Sequence, residues 1–368
     1  MELTVRKSEL LRELQLFQGI VERKNTIPIL ANVVLEADGD GIVQLLATDL
    51  EVTLRSQCAA SIKKVGSLTI PAKKLFEIVR SLPDTNIRIE QDGKGGVNVS
   101  ADRFKSRMQT LPREDFPTVP EPGEAERVSL PREILHAMVA RTQFAITGED
   151  TRYFLNGALF ILTAETMSLI ATDGHRLALT TAAREGGEKE ESRAILPKKT
   201  LLELSRLLSD GEENVQYVCS ENHLFFQIDG RQLISRMIDA QFPAYERVIP
   251  KGNDKRIEFD RDRLTSAIKR VALLSSERSR AVKIKVSKDM VEVTSSSPEV
   301  GEAKEELAVD YHGDDLQICF NAQYMLDFLA VVDTETVTLG LKDEMSQAVM
   351  HPAGADADYT YVIMPMRV

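Results

Sequence analysis

Cysteine is scarce: the 368 residues include three, Cys58, Cys219 and Cys319, far apart and without a CxxC partner. That excludes a disulfide scaffold or a zinc knuckle as the organising principle. Long apolar runs are missing as well. None approaches the roughly 18–20 residues of a membrane span, and the opening MELTVRKSEL carries charge where a signal peptide would be apolar. A cytoplasmic protein with no membrane association is expected. The five histidines, His136, His175, His223, His312 and His351, have no HxxxH spacing and no neighbouring cysteine, so no metal site is readable. There is no Gly-x-x-x-x-Gly-Lys-Ser/Thr loop, and Gly93-Lys94-Gly95-Gly96 fits a hairpin better than a phosphate cradle. No cofactor is expected. Positive charge is short too: 46 Lys+Arg against 57 Asp+Glu leave a net charge of -11. Bulk electrostatics would not draw such a chain to a polyanion.

What the chain does have is a long internal repeat, the first thing to seek in a sequence of this length. Leu3-Thr4-Val5 followed by Leu10 and Leu14 recurs as Val128-Ser129-Leu130 with Leu135 and Val139, and again as Ile257-Glu258-Phe259 with Leu264 and Ile268. The segment from Pro71 to Arg80 returns at 197–206 and, more distantly, at 321–330. Thr48-Asp49 matches Thr172-Asp173, and Phe116-Pro117 matches Phe242-Pro243. Three copies of one α+β domain therefore fill the chain, at 1–122, 123–250 and 251–368, with boundaries in the Pro-rich 117–124 and at Pro250-Lys251-Gly252-Asn253. Each copy is itself doubled, because Leu68-Thr69-Ile70 before Leu75-Phe76 echoes Leu3-Thr4-Val5 before Leu10-Leu11. One unit reads as a strand, a helix of about ten residues, and three short strands such as 29–37, 41–47 and 51–57.

Charge is distributed unevenly. Residues 1–122 hold 17 basic and 17 acidic side chains, 123–250 hold 14 and 19, and 251–368 hold 15 and 21. Helices 72–82 and 198–208 each carry two Lys, one Arg and one Glu, so basic residues collect on corresponding helices. One such helix alone would read as a solvated face; repetition in register points to a shared polyanionic partner. Arg103, Lys105 and Arg107 alternate along a strand of the first copy, while Glu299, Glu302, Glu305 and Glu306 cluster in the third. A head-to-tail dimer would bring the two together; protection of strand edges by charge is the other explanation.

The most enzyme-like string is Thr172-Asp173-Gly174-His175-Arg176-Leu177, a carboxylate, an imidazole and a guanidinium in close sequence. Its counterpart is Thr48-Asp49-Leu50-Glu51, which favours a turn role for Thr-Asp. A three-domain enzyme with a site at Asp173, His175 and Arg176, and a peptide-binding scaffold that does not encircle DNA, remain as rival readings.

The three tandem copies, Asn156-Gly157, Ala171 through Leu177, Phe242-Pro243 and the ending Val362-Ile363-Met364-Pro365-Met366-Arg367 together resemble the bacterial DNA sliding clamps, the beta subunits of DNA polymerase III. The resemblance runs from Met1 to Val368. It implies three tandem DNA-clamp domains in a head-to-tail homodimer, with sheets outside and helices lining a ring around duplex DNA. The function implied is that of a processivity factor, not an enzyme. It would tether the polymerase III alpha subunit, the clamp loader delta subunit, translesion polymerases, ligase and mismatch repair proteins.

For the partner-peptide pocket the resemblance implies Leu155, Thr172, Gly174, His175, Arg176, Leu177, Pro243, Arg247, Val248, Val362, Met364, Pro365 and Met366. Arg176 and Arg247 would fix a peptide's polar ends, and the two methionines would give a deformable apolar groove. Met345 and Gln347 stand where the family has smaller side chains, which would alter the pocket's depth. For DNA it implies Lys24, Lys73, Arg80, Lys198, Lys199 and the loop Arg152-Tyr153-Phe154, whose aromatics could stack on bases; Glu149 stands where a neutral amide would suit a phosphate better. For the dimer interface it implies Arg103, Lys105, Arg107 and Met108 against Leu273, Leu274, Glu299, Glu302 and Glu305. Ser106 replaces a bulkier apolar residue there, which would loosen the closed ring.

Overall fold

The computed structural model describes residues 1–21, 26–93, 95–148, 150–184, 191–354 and 358–367. Within them one order, strand, helix, three strands, occurs six times. The first copy contains β1 (Glu2–Arg6), α1 (Lys7–Phe17), β2 (Asn32–Ala37), β3 (Ile42–Thr48) and β4 (Val52–Lys64), then β5 (Gly66–Pro71), α2 (Ala72–Ser81), β6 (Asn86–Gln91), β7 (Gly96–Ala101) and β8 (Phe104–Gln109). The second contains β9 (Val128–Pro131), α3 (Arg132–Thr142), β10 (Gly157–Leu162), β11 (Thr166–Thr172) and β12 (Arg176–Ala183), then β13 (Ser192–Pro197), α4 (Lys198–Leu208), β14 (Asn214–Ser220), β15 (His223–Ile228) and β16 (Arg231–Arg236). The third contains β17 (Lys255–Asp260), α5 (Arg261–Ala272), β18 (Ala281–Ser287), β19 (Met290–Ser297) and β20 (Gly301–Ala308), then β21 (Leu316–Asn321), α6 (Ala322–Val331), β22 (Thr336–Leu341), β23 (Ala348–Pro352) and β24 (Tyr359–Ile363).

Local chemistry explains where these elements start. Pro71, Pro131 and Pro197 each close a strand directly before a helix, at a position from which the helix needs no backbone N–H. Helices α5 and α6 use side-chain caps instead: Asp260 accepts from the Arg263 N–H at 2.8 Å and Asn321 from the Gln323 N–H at 2.9 Å. On α2 the apolar stripe buries Ala72, Leu75 and Val79, leaving Lys73, Lys74 and Arg80 exposed. The strand expected at 29–37 starts later, at Asn32, because Pro28–Ala31 forms a 3-10 turn. The strand expected at 51–57 continues to Lys64, since its two ends pair with different neighbours.

The described residues form two compact units, Met1–His136 with Lys199–Met237, and Ala137–Lys198 with Ile238–Val368. The middle repeat contributes to both. In the first unit eight strands run β5-β2-β3-β4-β16-β15-β14-β9, and the far end of β4 pairs with β1 to add the four-strand run β8-β7-β6-β1. The second unit holds an eight-stranded sheet, β13-β10-β11-β12-β24-β23-β22-β17, and a separate four-stranded one, β20-β19-β18-β21. Each eight-strand run is thus two four-strand halves from neighbouring repeats, joined edge to edge at β4–β16 and at β12–β24. No helix among the described residues is long and apolar enough to cross a membrane.

One ion pair reinforces the β4–β16 joint. Glu13 of α1 is buried and accepts from Arg231 of β16 at 2.7 and 2.8 Å, a bidentate geometry that offsets the cost of removing both charges from water. Burial, with Glu13 and Glu9 nearby, pushes the Cys58 thiol up to about 12. At pH 8 that leaves it about a thousandth of an ordinary cysteine's thiolate. A thiol reagent such as DTNB is therefore expected to modify Cys58 only after denaturation, as peptide mapping of native and unfolded protein would show.

Candidate functional site

The β12–β24 joint carries an apolar surface. Pairing places Leu177 opposite Val362, and with Leu159, Ile161, Ile170 and Ile195 they form one buried cluster. Phe154 and the segment bearing Ile238, Phe242, Tyr245 and Ile249 pack over it, partly exposed. The rim comes from three places. Thr172–His175 form a tight turn in which Asp173 accepts from the backbone N–H of His175 at 2.9 Å and Arg176 at 3.0 Å, and Gly174 takes φ +87. Pro243, Arg247 and Val248 are exposed beside Tyr245. The chain after β24 leaves the sheet: the Met364 N–H donates to the His175 carbonyl at 2.9 Å and the Met366 N–H to the Cys319 carbonyl at 2.8 Å. Met364 stays 38% exposed, and Leu155 lies buried next to Phe154. Pairing of Ala348 with Ile363 puts Gln347 beside Met364; Met345, in the turn before it, is 60% exposed.

Strand register explains why this surface occurs at one joint only. The pairs Asn32–Pro71, Gly157–Pro197 and Ala281–Asn321 occupy the same place in the three repeats. Counting from them, Leu159, Ile161, Ile170 and Leu177 correspond to Val34, Glu36, Leu46 and Thr53 at β4–β16, and to Lys283, Lys285, Thr294 and Glu302 on the separate four-stranded sheet. Only the middle set is wholly apolar. At β4–β16, Arg55 is bound by Glu121 at 2.7 Å and Gln232 at 3.2 Å, and Phe116 and Val119 lie on the remaining apolar residues.

Arg176 is placed differently from the other rim residues. Its side chain is 10% exposed, with Nε donating to Asp173 at 2.9 Å, one terminal nitrogen to Asp327 at 2.5 Å and the other to the Phe144 carbonyl at 2.6 Å. It also stacks on Tyr324, 4.3 Å from the ring centroid, and on Phe144 at 5.3 Å. Tyr324, Asp327 and Phe144 are absent from the sequence-derived set; no motif marks them, and they join the site only through the fold.

The cations expected to face nucleic acid divide into two groups. Lys73 and Arg80 are exposed on α2, together with Lys74, and Glu77 lies 3.9 Å from Lys73 and 2.9 Å from Lys74. Lys198 instead donates to the Ile146 carbonyl at 3.1 Å, and Lys199 is bound to Asp49 and, at 3.4 Å, to the Ile20 carbonyl. Arg152 folds back on Asp150 through three hydrogen bonds of 2.7 to 3.0 Å, and these bonds hold the Asp150 carboxyl down to about 2. Tyr153 is 58% exposed and meets Phe154 edge-on, with centroids 6.3 Å apart. Lys24 and Glu149 lie outside the described residues.

The two four-strand runs end in open edges of opposite charge. Lys105 and Arg107 are exposed on β8, Arg107 meeting Asp92 at 2.5 Å. On β20, Glu302, Lys304 and Glu306 share an exposed face, with Lys304 between Glu292 and Glu306. Glu305 is taken by Arg270 at 2.8 and 2.5 Å. Leu273, just after α5, is 78% exposed, the most of any large apolar side chain among the described residues. One His/Asp group gathers among them: the two ring nitrogens of His312 face Asp289 and Asp310, each at 3.2 Å, and all three side chains are exposed.

Comparison with known proteins accounts for the whole chain. It matches the DNA polymerase III beta subunit N-terminal domain over residues 1–120, the central domain over 129–244 and the C-terminal domain over 246–367. It is 40% identical to a beta sliding clamp of Pseudomonas putida and 35% identical to that of Escherichia coli, each over the full length of both chains. The crystal structure of the DNA polymerase III subunit beta from Pseudomonas aeruginosa superposes with a TM-score of 0.94 at 38% identity, again covering both chains fully. With all three domains matched in order and complete relatives aligned from end to end, the chain belongs to the DNA polymerase III beta subunit family, the beta sliding clamps.

Proposed function

We propose that the chain is the processivity factor of a replicative polymerase, a head-to-tail homodimeric ring that slides on duplex DNA and tethers its partners through the groove at β12–β24. The domains are 1–122, 123–250 and 251–368. One observation carries the reading: two joints of identical register are complete within the chain, and two four-strand halves are left with open, oppositely charged edges.

The same register applied to the open edges specifies a third joint, made with a second copy. The hairpin pairs Ile228–Arg231 and Ala101–Phe104 make Arg231 equivalent to Phe104, so Ile234 corresponds to Arg107. Thr53, opposite Ile234, corresponds to Glu302. Glu302 of one protomer then faces Arg107 of its partner. Four residues along, Gln57 lies against Gly230, which sets Glu306 near Arg103. Lys73, equivalent to Lys199, comes to the turn bearing Glu299, as Lys199 comes to Asp49. Leu273 and Leu274 supply the apolar part.

A topological link explains how a chain of net charge -11 serves DNA. Weak, exposed cations such as Lys73, Lys74 and Arg80 suffice for sliding, since tight phosphate contacts would arrest it. The proposed role is non-catalytic, and Asp173 and Arg176 are paired with each other in the turn. The groove, apolar and methionine-rimmed, suits short segments of the polymerase III alpha subunit, the clamp loader delta subunit, translesion polymerases, ligase and mismatch repair proteins in turn. The test is retention on a nicked circular plasmid in high salt, after loading by a compatible clamp loader with ATP. Release on linearising the plasmid is expected. Equal retention on circle and line would refute the ring, and loss of a reaction in His175→Ala would favour an enzyme.

A further inference from the structure

We propose that Arg176 is a positioning residue that does not touch the bound peptide, and that Asp327 on α6, outside the groove, sets peptide affinity through it. The inference rests on the groove being the peptide site. A guanidinium reads a peptide carboxylate by offering two parallel N–H groups. In Arg176 the Nε edge is spent on Asp173 and the terminal nitrogens on Asp327 and the Phe144 carbonyl, while the guanidinium carbon lies over the Tyr324 and Phe144 rings. Contact with a peptide would require breaking a nearly buried ion triad, leaving Asp173 or Asp327 uncompensated.

What the triad does hold is a chain of contacts ending at the groove. Gln323 donates to Asp327 at 2.7 Å, Asp327 accepts from Arg176, and Arg176 donates to Asp173. Through its other oxygen Asp173 fixes the His175 N–H, and the His175 carbonyl receives the Met364 N–H. The distance between the turn and the methionine tail, and hence the groove's width, is therefore set from α6. The Tyr361 hydroxyl, which donates to the Tyr324 carbonyl at 2.9 Å, locks β24 to the same helix.

The experiment titrates the full-length dimer with a fluorescein-labelled clamp-binding peptide of the polymerase alpha subunit. Asp327→Asn is expected to weaken binding about tenfold or more. Arg176→Ala should do the same, and the double variant should be no worse than either single one. Millimolar ethylguanidinium should restore Arg176→Ala but not the double variant, and the Met364 amide should exchange faster with deuterium in Asp327→Asn. If Arg176 instead bound the peptide, freeing it from Asp327 would leave affinity unchanged or tighter; that result, or additive losses, overturns the proposal. Should Arg176→Ala fail to fold, Asp173→Asn takes its place in the same cycle. Absence of peptide binding by the unmodified dimer would instead refute the groove itself.

Discussion

Deleting residues 364–368 is expected to lower affinity for partner peptides by about a hundredfold or more while leaving the dimer intact. The deletion removes Met364, Pro365 and Met366 from the groove rim but ends after Ile363, so every β12–β24 pair from Arg176–Ile363 to Thr180–Tyr359 remains. Each methionine covered by a bound peptide contributes about 1.5–3 kcal/mol. Two of them account for about 3–6 kcal/mol, and about 2.8 kcal/mol is already a hundredfold. The truncation also removes the Met364 N–H that anchors to the His175 carbonyl. Fluorescence anisotropy measures the peptide, and sedimentation velocity the dimer. Unchanged anisotropy titrations would place the peptide elsewhere.

The double substitution Leu273→Ala with Leu274→Ala is expected to raise the dimer dissociation constant by about a thousandfold. A buried Leu→Ala costs about 2–5 kcal/mol, and the ring contains each leucine twice, once per interface. About 4 kcal/mol over the two interfaces, or about 2 at each, already corresponds to that thousandfold factor. Leu273 is 78% exposed in the single chain, so its truncation has little to disturb until a partner covers it. Monomers at micromolar concentration in sedimentation equilibrium, still binding the alpha-subunit peptide, are the expected outcome. A charge exchange checks the register itself: Glu302→Arg should weaken the dimer, and adding Arg107→Glu should restore it. A dimer indifferent to Glu302→Arg would mean that β8 and β20 pair in another register.

The repeat, its doubling and the helices were legible because residue spacing and hydrophobic periodicity are local properties, and Pro71, Pro197 and the Thr-Asp turns mark them directly. The turn and the tail beside the β12–β24 surface were legible as Thr172 to Leu177 and the Met-Pro-Met ending. The long-range partner of each charge was not legible. Lys198 and Lys199 sit on a helix whose charge resembles that of α2, yet Lys199 is claimed by Asp49, 150 residues earlier in the chain. Arg176 looked like a ligand-reading cation, but Asp327, 151 residues later, occupies it. Glu305 belonged by sequence to an acidic cluster and is spent on Arg270. A charged side chain advertises its sign in a sequence, whereas whether that charge is still available depends on which distant segment folds against it.

The opposite charges of β8 and β20 also bear on the life of the newly made chain, before any second copy has been met. An unpaired strand edge invites another edge of its own kind, the usual route from a β-protein to an aggregate. Here two β8 edges would set Lys105 and Arg107 against the same cations, and two β20 edges would oppose Glu302 and Glu306 with themselves. Like-charged residues directly across a ladder are destabilising, so in those registers each edge disfavours pairing with its own copy. While ribosomes are still producing the chain, the basic edge at 104–109 emerges before the acidic one at 301–308, so neighbouring nascent N-terminal domains meet only edges of their own sign.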